Sequence, residues 1–205
     1  MNTKGLLIVL LIANVVIVRA QDKDSRINSN FRLSAGSFIE RTRGSSASGA
    51  GVLFSYGLDI SLSENLSITP SLGAGALLED AVHIGWKGNE SGVIYPAFAA
   101  VAFNFRVQIG TMQLFLGIAP TLSVIMDGPE YHDGSSPSNP LNGKPKFRTS
   151  YFSVCPSITI QPREHWYFGL EQGVGLTNIM KQYPEYGRTG EEYFYTTMIV
   201  CGWRF

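Results

Sequence analysis

Charge is scarce in this sequence. Asp, Glu, Lys and Arg make up 16% of its 205 residues, whereas about 25% is typical of soluble domains. The 16 basic residues balance the 16 acidic ones, which excludes a strongly basic nucleic-acid binder and an acidic disordered tail. Beyond the amino terminus, no apolar run reaches the roughly 18 residues of a transmembrane helix. Because 22 residues are glycine and 12% are aromatic, the composition favours β-structure with little surface facing water.

The amino-terminal 20 residues have the features of a secretory signal peptide. Lys4 supplies the positive charge, the apolar run Leu6–Val18 follows, and small residues precede a cleavage point before Gln21. The alternative is a membrane anchor, which needs roughly 20 apolar residues, more than this run provides. We therefore predict a signal peptide over residues 1–20 and an exported protein.

From about residue 30 onward, large apolar side chains alternate with small or polar ones. In Val52–Leu62, VLFSYGLDISL, every second residue is large and apolar, which is the two-residue period of a β-strand. Most of these segments have 9 to 14 residues, whereas ordinary strands have about 5 or 6 and membrane-spanning strands roughly 9 to 11. The alternation predicts eight strands, at Phe31–Glu40, Val52–Leu62, Leu66–Glu79, Tyr95–Val107, Met112–Met126, Phe152–Ile160, Trp166–Asn178 and Tyr193–Phe205.

Short and long connections alternate between these strands. The short ones are Ser63–Asn65, Gln108–Thr111 and Gln161–His165, and the long ones are Arg41–Gly51, Glu79–Ile94, Asp127–Lys146 and Lys181–Glu192. Tight turns at one end and long loops at the other are typical of transmembrane barrels. We therefore predict an all-β, eight-stranded antiparallel up-and-down transmembrane β-barrel over residues 30–205. A short periplasmic segment at residues 21–29 precedes it, and both termini face the periplasm.

The chemistry of the two strand faces indicates which one points outward. The polar face consists mainly of Gly, Ser, Thr and Ala, which suit the crowded interior of an eight-stranded barrel better than a solvated surface. The reverse arrangement, a soluble lipocalin-like barrel with its apolar face buried, remains the alternative. Aromatic residues concentrate at the strand ends, as in the two girdles of membrane barrels: Phe31, Phe105, Trp166, Phe168, Trp203 and Phe205 at one end, and Tyr95, Phe152, Tyr193 and Tyr195 at the other.

Five charged residues fall on the small-residue face in the periplasmic half of the predicted barrel. They are Arg32, Asp59, Arg106, Glu171 and Arg204. Arg204, Arg32 and Asp59 lie on strands that are consecutive around a closed barrel, so we expect them to be near neighbours. Three bases and two acids in a narrow lumen should pair, because a buried unpaired charge is costly. The sequence predicts a lumenal charge network that plugs the barrel.

Catalytic and metal-binding patterns are weak. His83, His132 and His165 fall in predicted loops or turns, away from any serine at a lipid boundary, so no nucleophile with a neighbouring base is predicted. The run from Asp127 to Asp133 holds three carboxylates and a histidine without a recognised Ca²⁺ spacing. Cys155 and Cys201 fall on opposite faces of non-adjacent strands, which predicts two free thiols. We expect no metal and no cofactor.

The final strand, YFYTTMIVCGWRF, and the segments TPSLGAGALLE and FGLEQGVGLTN resemble small outer-membrane β-barrel proteins, in particular the PorT-like domain of Bacteroidota. The resemblance covers residues 28–205, together with the cleavage before Gln21. It implies insertion into outer-membrane lipid. It also implies that Trp203 and Phe205 form the carboxy-terminal signal read by the barrel assembly machinery. The resemblance is one of pattern and carries no catalytic motif.

These observations predict a non-enzymatic outer-membrane protein with a lumen filled by side chains. Membrane integrity, surface interaction through the long extracellular loops, and membership of an outer-membrane or secretion assembly remain open as roles. A protein partner could bind those loops, and no nucleic acid is expected. The alternatives are a lipid-modifying outer-membrane enzyme and a soluble periplasmic lipocalin-like barrel that binds an apolar ligand.

Overall fold

A computed structural model describes residues 27–41, 46–80, 92–128, 140, 143–144, 149–162, 164–179, 184 and 193–205. The signal-peptide prediction and most of the long predicted loops lie outside these residues. The described chain forms eight strands: β1 (Ile27–Arg41), β2 (Ser46–Ser61), β3 (Leu66–Asp80), β4 (Gly92–Ile109), β5 (Met112–Asp127), β6 (Ser150–Gln161), β7 (Trp166–Gly175) and β8 (Tyr193–Arg204). No helix among these residues is long and apolar enough to cross a membrane.

Each strand pairs antiparallel with the next, and β8 pairs with β1, so the sheet closes on itself. In the closing pair, Asn30 opposes Arg204 and Arg41 opposes Tyr193. The predicted eight-stranded antiparallel up-and-down barrel is therefore confirmed. We call the end that carries the connections 62–65, 110–111 and 162–165 the short-turn end.

Some strand boundaries differ from those predicted. β1 begins at Ile27, so residues 27–29 of the predicted amino-terminal segment belong to the barrel. β2 begins at Ser46, so the predicted loop Arg41–Gly51 is wrong, and only residues 42–45 separate the two strands. The Gly/Ser-rich stretch pairs with β1 on one side and with β3 on the other, and Gly49 opposes Phe38. A Cβ at Gly49 would collide with the Phe38 ring and with the Leu78 carbonyl oxygen, so the bulky ring needs glycine beside it.

The apolar face points outward on every strand. Ile199 has 67% of its surface exposed, whereas its neighbour Met198 has none. Large exposed apolar residues occur on all eight strands, and the lumen-facing positions are mainly Ser, Thr, Gly and Ala. The predicted orientation of the two faces is confirmed, and an arrangement with the apolar face buried is excluded.

The lumen also contains an apolar cluster that the sequence analysis did not anticipate. It lies toward the end opposite the short turns and consists of Phe38, Leu77, Ile94, Ile125, Ile179, Phe194 and Met198, with Leu53 and Tyr151 packed against it. The Phe194 ring meets Phe38 edge-on at 5.7 Å and Tyr151 at 5.4 Å between centroids. The lumen is therefore apolar toward one end and charged toward the other.

Candidate functional site

Among the described residues, the most deeply buried charge in the lumen is Asp59 on β2. It is fully buried, and its Oδ2 lies 3.2 Å from Nε of Arg204 on β8. Thr69 on β3 donates a hydrogen bond of 2.9 Å to Asp59 Oδ1, and Asn104 on β4 donates one of 3.0 Å to Thr69. One carboxylate thus connects four strands at the short-turn end of the lumen.

Arg204 has further contacts on its other side. It donates a hydrogen bond of 2.9 Å to Gln161 Oε1 on β6. Its guanidinium carbon lies 4.5 Å from the Phe115 ring centroid and 5.6 Å from that of Tyr167. Because a guanidinium interacts favourably with an aromatic face, these rings also help to hold the cation.

A second ion pair joins Arg32 on β1 to Glu171 on β7. Arg32 Nη2 lies 2.5 Å from Glu171 Oε2. The two residues reach each other across β8, where Gly202 opposes both Arg32 and Tyr167. A Cβ at Gly202 would collide with the Tyr167 ring, so glycine leaves the space that this ring occupies. The Tyr167 hydroxyl donates a hydrogen bond of 2.6 Å to Asn30, which fixes the ring.

Arg106 is the remaining charge of the predicted network. Its guanidinium carbon lies 5.2 Å from the centroid of the Phe115 ring, the same ring that Arg204 contacts. Among the described residues it forms no ion pair, and its Nε is buried without a hydrogen-bond acceptor. The structure thus brings Arg204 together with Asp59, and Arg32 together with Glu171. Arg106 lies beside the Arg204 pair, bound to neither acid.

A cavity of about 80 Å³ lies among the lumenal side chains. Arg32 and Glu171 line it, together with Thr121, Cys155 and Phe194. Since a single buried water needs only about 10–15 Å³ of such volume, the cavity has room for several waters beside the Arg32–Glu171 pair. Ser34, Ser55 and Ser153 also line the cavity and supply hydrogen-bonding partners for such waters.

Both cysteines are free. Cys155 lines the cavity, with Sγ at 3.7 Å from the Thr121 hydroxyl. Cys201 is on the outward face of β8, opposite Leu33 and Phe168. The predicted absence of a disulfide between them is confirmed, because the barrel wall separates the two thiols.

The carboxy-terminal residues form an aromatic cluster on the outer wall at the short-turn end. The Trp203 ring packs at 4.4 Å against Trp166 and stacks at 5.2 Å on His165, and Phe205 meets Phe31 at 5.7 Å. His165 Nδ1 is 2.9 Å from the Arg204 carbonyl oxygen. This histidine therefore packs at the rim.

His83, His132 and most of the Asp127–Asp133 run lie outside the described residues. The side chains of Glu40 and Glu79, near the ends of β1 and β3 away from the short turns, also lie outside them. In the ranges that the structure describes, no group of three His, Cys, Asp or Glu residues is placed to hold a metal ion.

No family model matches this sequence, and no curated protein matches it by sequence. The backbone resembles the crystal structure of Neisserial surface protein A, with a TM-score of 0.52 and 11% identity over 88% of this chain and 98% of that one. OprG from Pseudomonas aeruginosa has a TM-score of 0.45 and 10% identity, over 86% of this chain and 96% of that one. Ail of Yersinia pestis has a TM-score of 0.43 and 10% identity, over 87% of this chain and 98% of that one. The chain thus has the fold of Neisserial surface protein A.

Proposed function

We propose that this chain is a non-enzymatic integral protein of the bacterial outer membrane. The observation that carries the proposal is the inside-out distribution of side chains, with large apolar residues exposed on all eight strands and charges in the lumen. A soluble protein rarely exposes a continuous apolar patch larger than a few hundred Å². A bilayer solvates such a wall, and a closed barrel leaves no unpaired strand edge in it.

The proposed role is structural, and it includes contacts outside the cell. The apolar cluster and the two ion pairs occupy much of the described lumen, which argues against a general porin. The long connections at residues 81–91, 129–148 and 180–192 would then bind a partner or support membrane integrity. On the resemblance to PorT-like proteins, that partner is a component of an outer-membrane or secretion assembly, and both termini face the periplasm.

The proposed insertion route uses the carboxy-terminal aromatic residues. Trp203 and Phe205 face outward on the last strand and pack together, with ring centroids 6.0 Å apart. We infer that the barrel assembly machinery recognises these two side chains before the barrel closes.

Fractionation of cells tests the location. The full chain, expressed with its first 20 residues in a Gram-negative host, is expected in the detergent-extracted outer membrane. Its mobility on a gel should change on boiling, as the mobility of folded membrane barrels does. Recovery in the soluble periplasm without detergent would refute the proposal.

Protease added to intact cells tests the orientation, with cleavage expected in residues 129–148 before residues 62–65. Cleavage first at residues 62–65 would mean that the barrel has the opposite orientation.

The non-enzymatic assignment predicts that deleting the gene leaves the mass spectrum of lipid A unchanged. A shift in the mass of lipid A would overturn this assignment.

A further inference from the structure

A row of three polar side chains interrupts the outward apolar wall. Thr197 on β8 is the register partner of Gln172 on β7 and of Ser37 on β1. All three side chains are exposed, so they form a continuous strip across three adjacent strands. We call Gln172, Thr197 and Ser37 the polar row.

The polar row has no partners in the described part of the chain. None of its hydroxyl and amide groups forms a hydrogen bond there. On β1 and β8 it lies between large exposed apolar residues, with Leu33 and Ile39 on either side of Ser37 and Ile199 beyond Thr197. The row therefore lies within the apolar band, with Tyr195 at the next outward position of β8 on the side away from the short turns.

The opposite side of the barrel has no such feature. On β3 to β6, the described outward positions are apolar apart from Tyr95 and Ser150, which lie toward the strand ends away from the short turns. They run from Leu66 to Leu78, from Tyr95 to Val107, from Met112 to Met126 and from Phe152 to Ile160. The polar row thus distinguishes one side of the wall.

We propose that the face formed by β7, β8 and β1 is the contact surface of a homodimer within the membrane. This inference rests on the proposed function, because the row faces hydrocarbon only if the barrel crosses a bilayer. Lipid tails offer no hydrogen bonds, so an unpaired amide or hydroxyl is unfavourable there. A protein surface with matching polar groups removes that penalty.

The chemistry of the row favours a second copy of the same chain as the partner. The row carries no charge, so it cannot form ion pairs with a charged partner surface. A glutamine amide both donates and accepts hydrogen bonds, and so does each hydroxyl, which makes the row complementary to itself across a twofold axis. Ala50, the register partner of Ser37, and Ala35 are also small and exposed, which allows two walls to approach closely.

Cysteine cross-linking tests the contact in isolated outer membranes. In a Cys201→Ser background, Ser37→Cys, Gln172→Cys and Thr197→Cys are each oxidised and run on non-reducing gels. A disulfide-linked band at twice the monomer mass is expected from at least one of them. The matched control is Leu122→Cys, an outward residue of β5, which should stay monomeric. Absence of the band from all three variants, or equal cross-linking of the control, would overturn the proposal.

A second measurement distinguishes loss of the dimer from misfolding of the barrel. The double variant Gln172→Leu, Thr197→Val removes hydrogen-bonding groups from the polar row and nearly preserves the shape of the two side chains. In detergent, sedimentation equilibrium should show the dimer dissociation constant raised about tenfold or more, with the gel shift on boiling retained. If the wild type is a monomer in the outer membrane, the dimer is refuted and the proposed function stands. If the protein is absent from that membrane, the proposed function itself fails.

Discussion

Asp59 is the residue at which the barrel depends most on a single charge. Its carboxylate is fully buried between Arg204 and Thr69. The substitution Asp59→Ala leaves the Arg204 cation without its carboxylate, so the free energy of unfolding should fall by about 3–5 kcal/mol. Urea unfolding of the refolded protein in detergent, followed by tryptophan fluorescence, measures this loss. Glu64→Ala in an exposed turn is the control, with an expected change under about 0.5 kcal/mol; similar losses in both variants would contradict the burial argument.

Glu171 should be less critical, although it also forms a lumenal ion pair. Its side chain is 13% exposed and that of Arg32 is 23% exposed, and both line the cavity. Water in the cavity can solvate Arg32 once the acid is removed, so Glu171→Ala should lower the free energy of unfolding by only about 1–3 kcal/mol. The same urea titration measures whether Glu171→Ala loses less free energy of unfolding than Asp59→Ala. A loss as large as that of Asp59→Ala would mean that cavity water does not reach Arg32.

The alternation of side chains between the two faces of each strand was enough to predict that these charges lie in the lumen, but it could not determine their partners. Partners depend on the register between strands and on the lengths of the side chains. Arg32 pairs with Glu171 two strands away although Arg32 opposes Gly202 and Glu171 opposes Met198 on β8, so the two side chains span an offset that the sequence does not show. The apolar cluster was missed because large residues such as Phe38 on β1 and Leu77 on β3 occur singly on faces that otherwise carry mostly small or polar residues, and single exceptions leave the two-residue period unchanged.

At the scale of single strands, β8 carries the proposed assembly signal. The Phe205 backbone N–H donates to the Ser29 carbonyl oxygen, and its ring packs on Phe31. Phe205→Ala should lower the fraction of chains inserted in cells by severalfold, while refolding of the purified chain in detergent changes little. Western blots of unboiled outer-membrane samples measure the inserted fraction. Ile199→Ala, an outward residue in the middle of the same strand, is the control, and equal defects in both variants would argue against a terminal signal.

The strands were predictable to the extent that their composition alternates. β3, with its regular exchange of large and small residues, begins at Leu66 as predicted and extends one residue further. The beginning of β2 was missed because Ser, Ala and Gly follow one another from Ser46 to Gly51, so large and small residues do not alternate. The backbone pairing of this stretch with β1 on one side and β3 on the other identifies it as strand, and that pairing is not visible in the sequence.

The whole barrel should be closed to ions. The apolar cluster lies toward one end of the lumen, and the Asp59–Arg204 pair lies near the other. Eight strands leave an interior that side chains fill. Purified protein in planar bilayers should therefore show no steady conductance above that of the bare bilayer. A stable, voltage-independent open channel would contradict a filled lumen.

A charge on the outer wall distinguishes a bilayer from water as the surroundings of the barrel. Ile118 lies on the outward face of β5, among the exposed residues Leu116 and Leu122. In a membrane, Ile118→Arg should lower the stability of the inserted barrel by about 2–4 kcal/mol if the residue is near the midplane. Refolding into lipid vesicles at a series of urea concentrations measures the change. Glu64→Arg in an exposed turn is the control, and a neutral effect at both positions would favour an aqueous environment.

The pairing of β1 with β8 has a kinetic consequence. Of the two lumenal ion pairs, one joins β8 to β2 and the other joins β1 to β7, so each connects residues from opposite ends of the sequence. Neither can form until β8 has met β1. The chain must therefore lose most of its conformational entropy before these contacts stabilise it, which makes closure late and slow. Contacts that form after the transition state chiefly slow unfolding, so these pairs govern how long a finished barrel lasts more than how fast it is made.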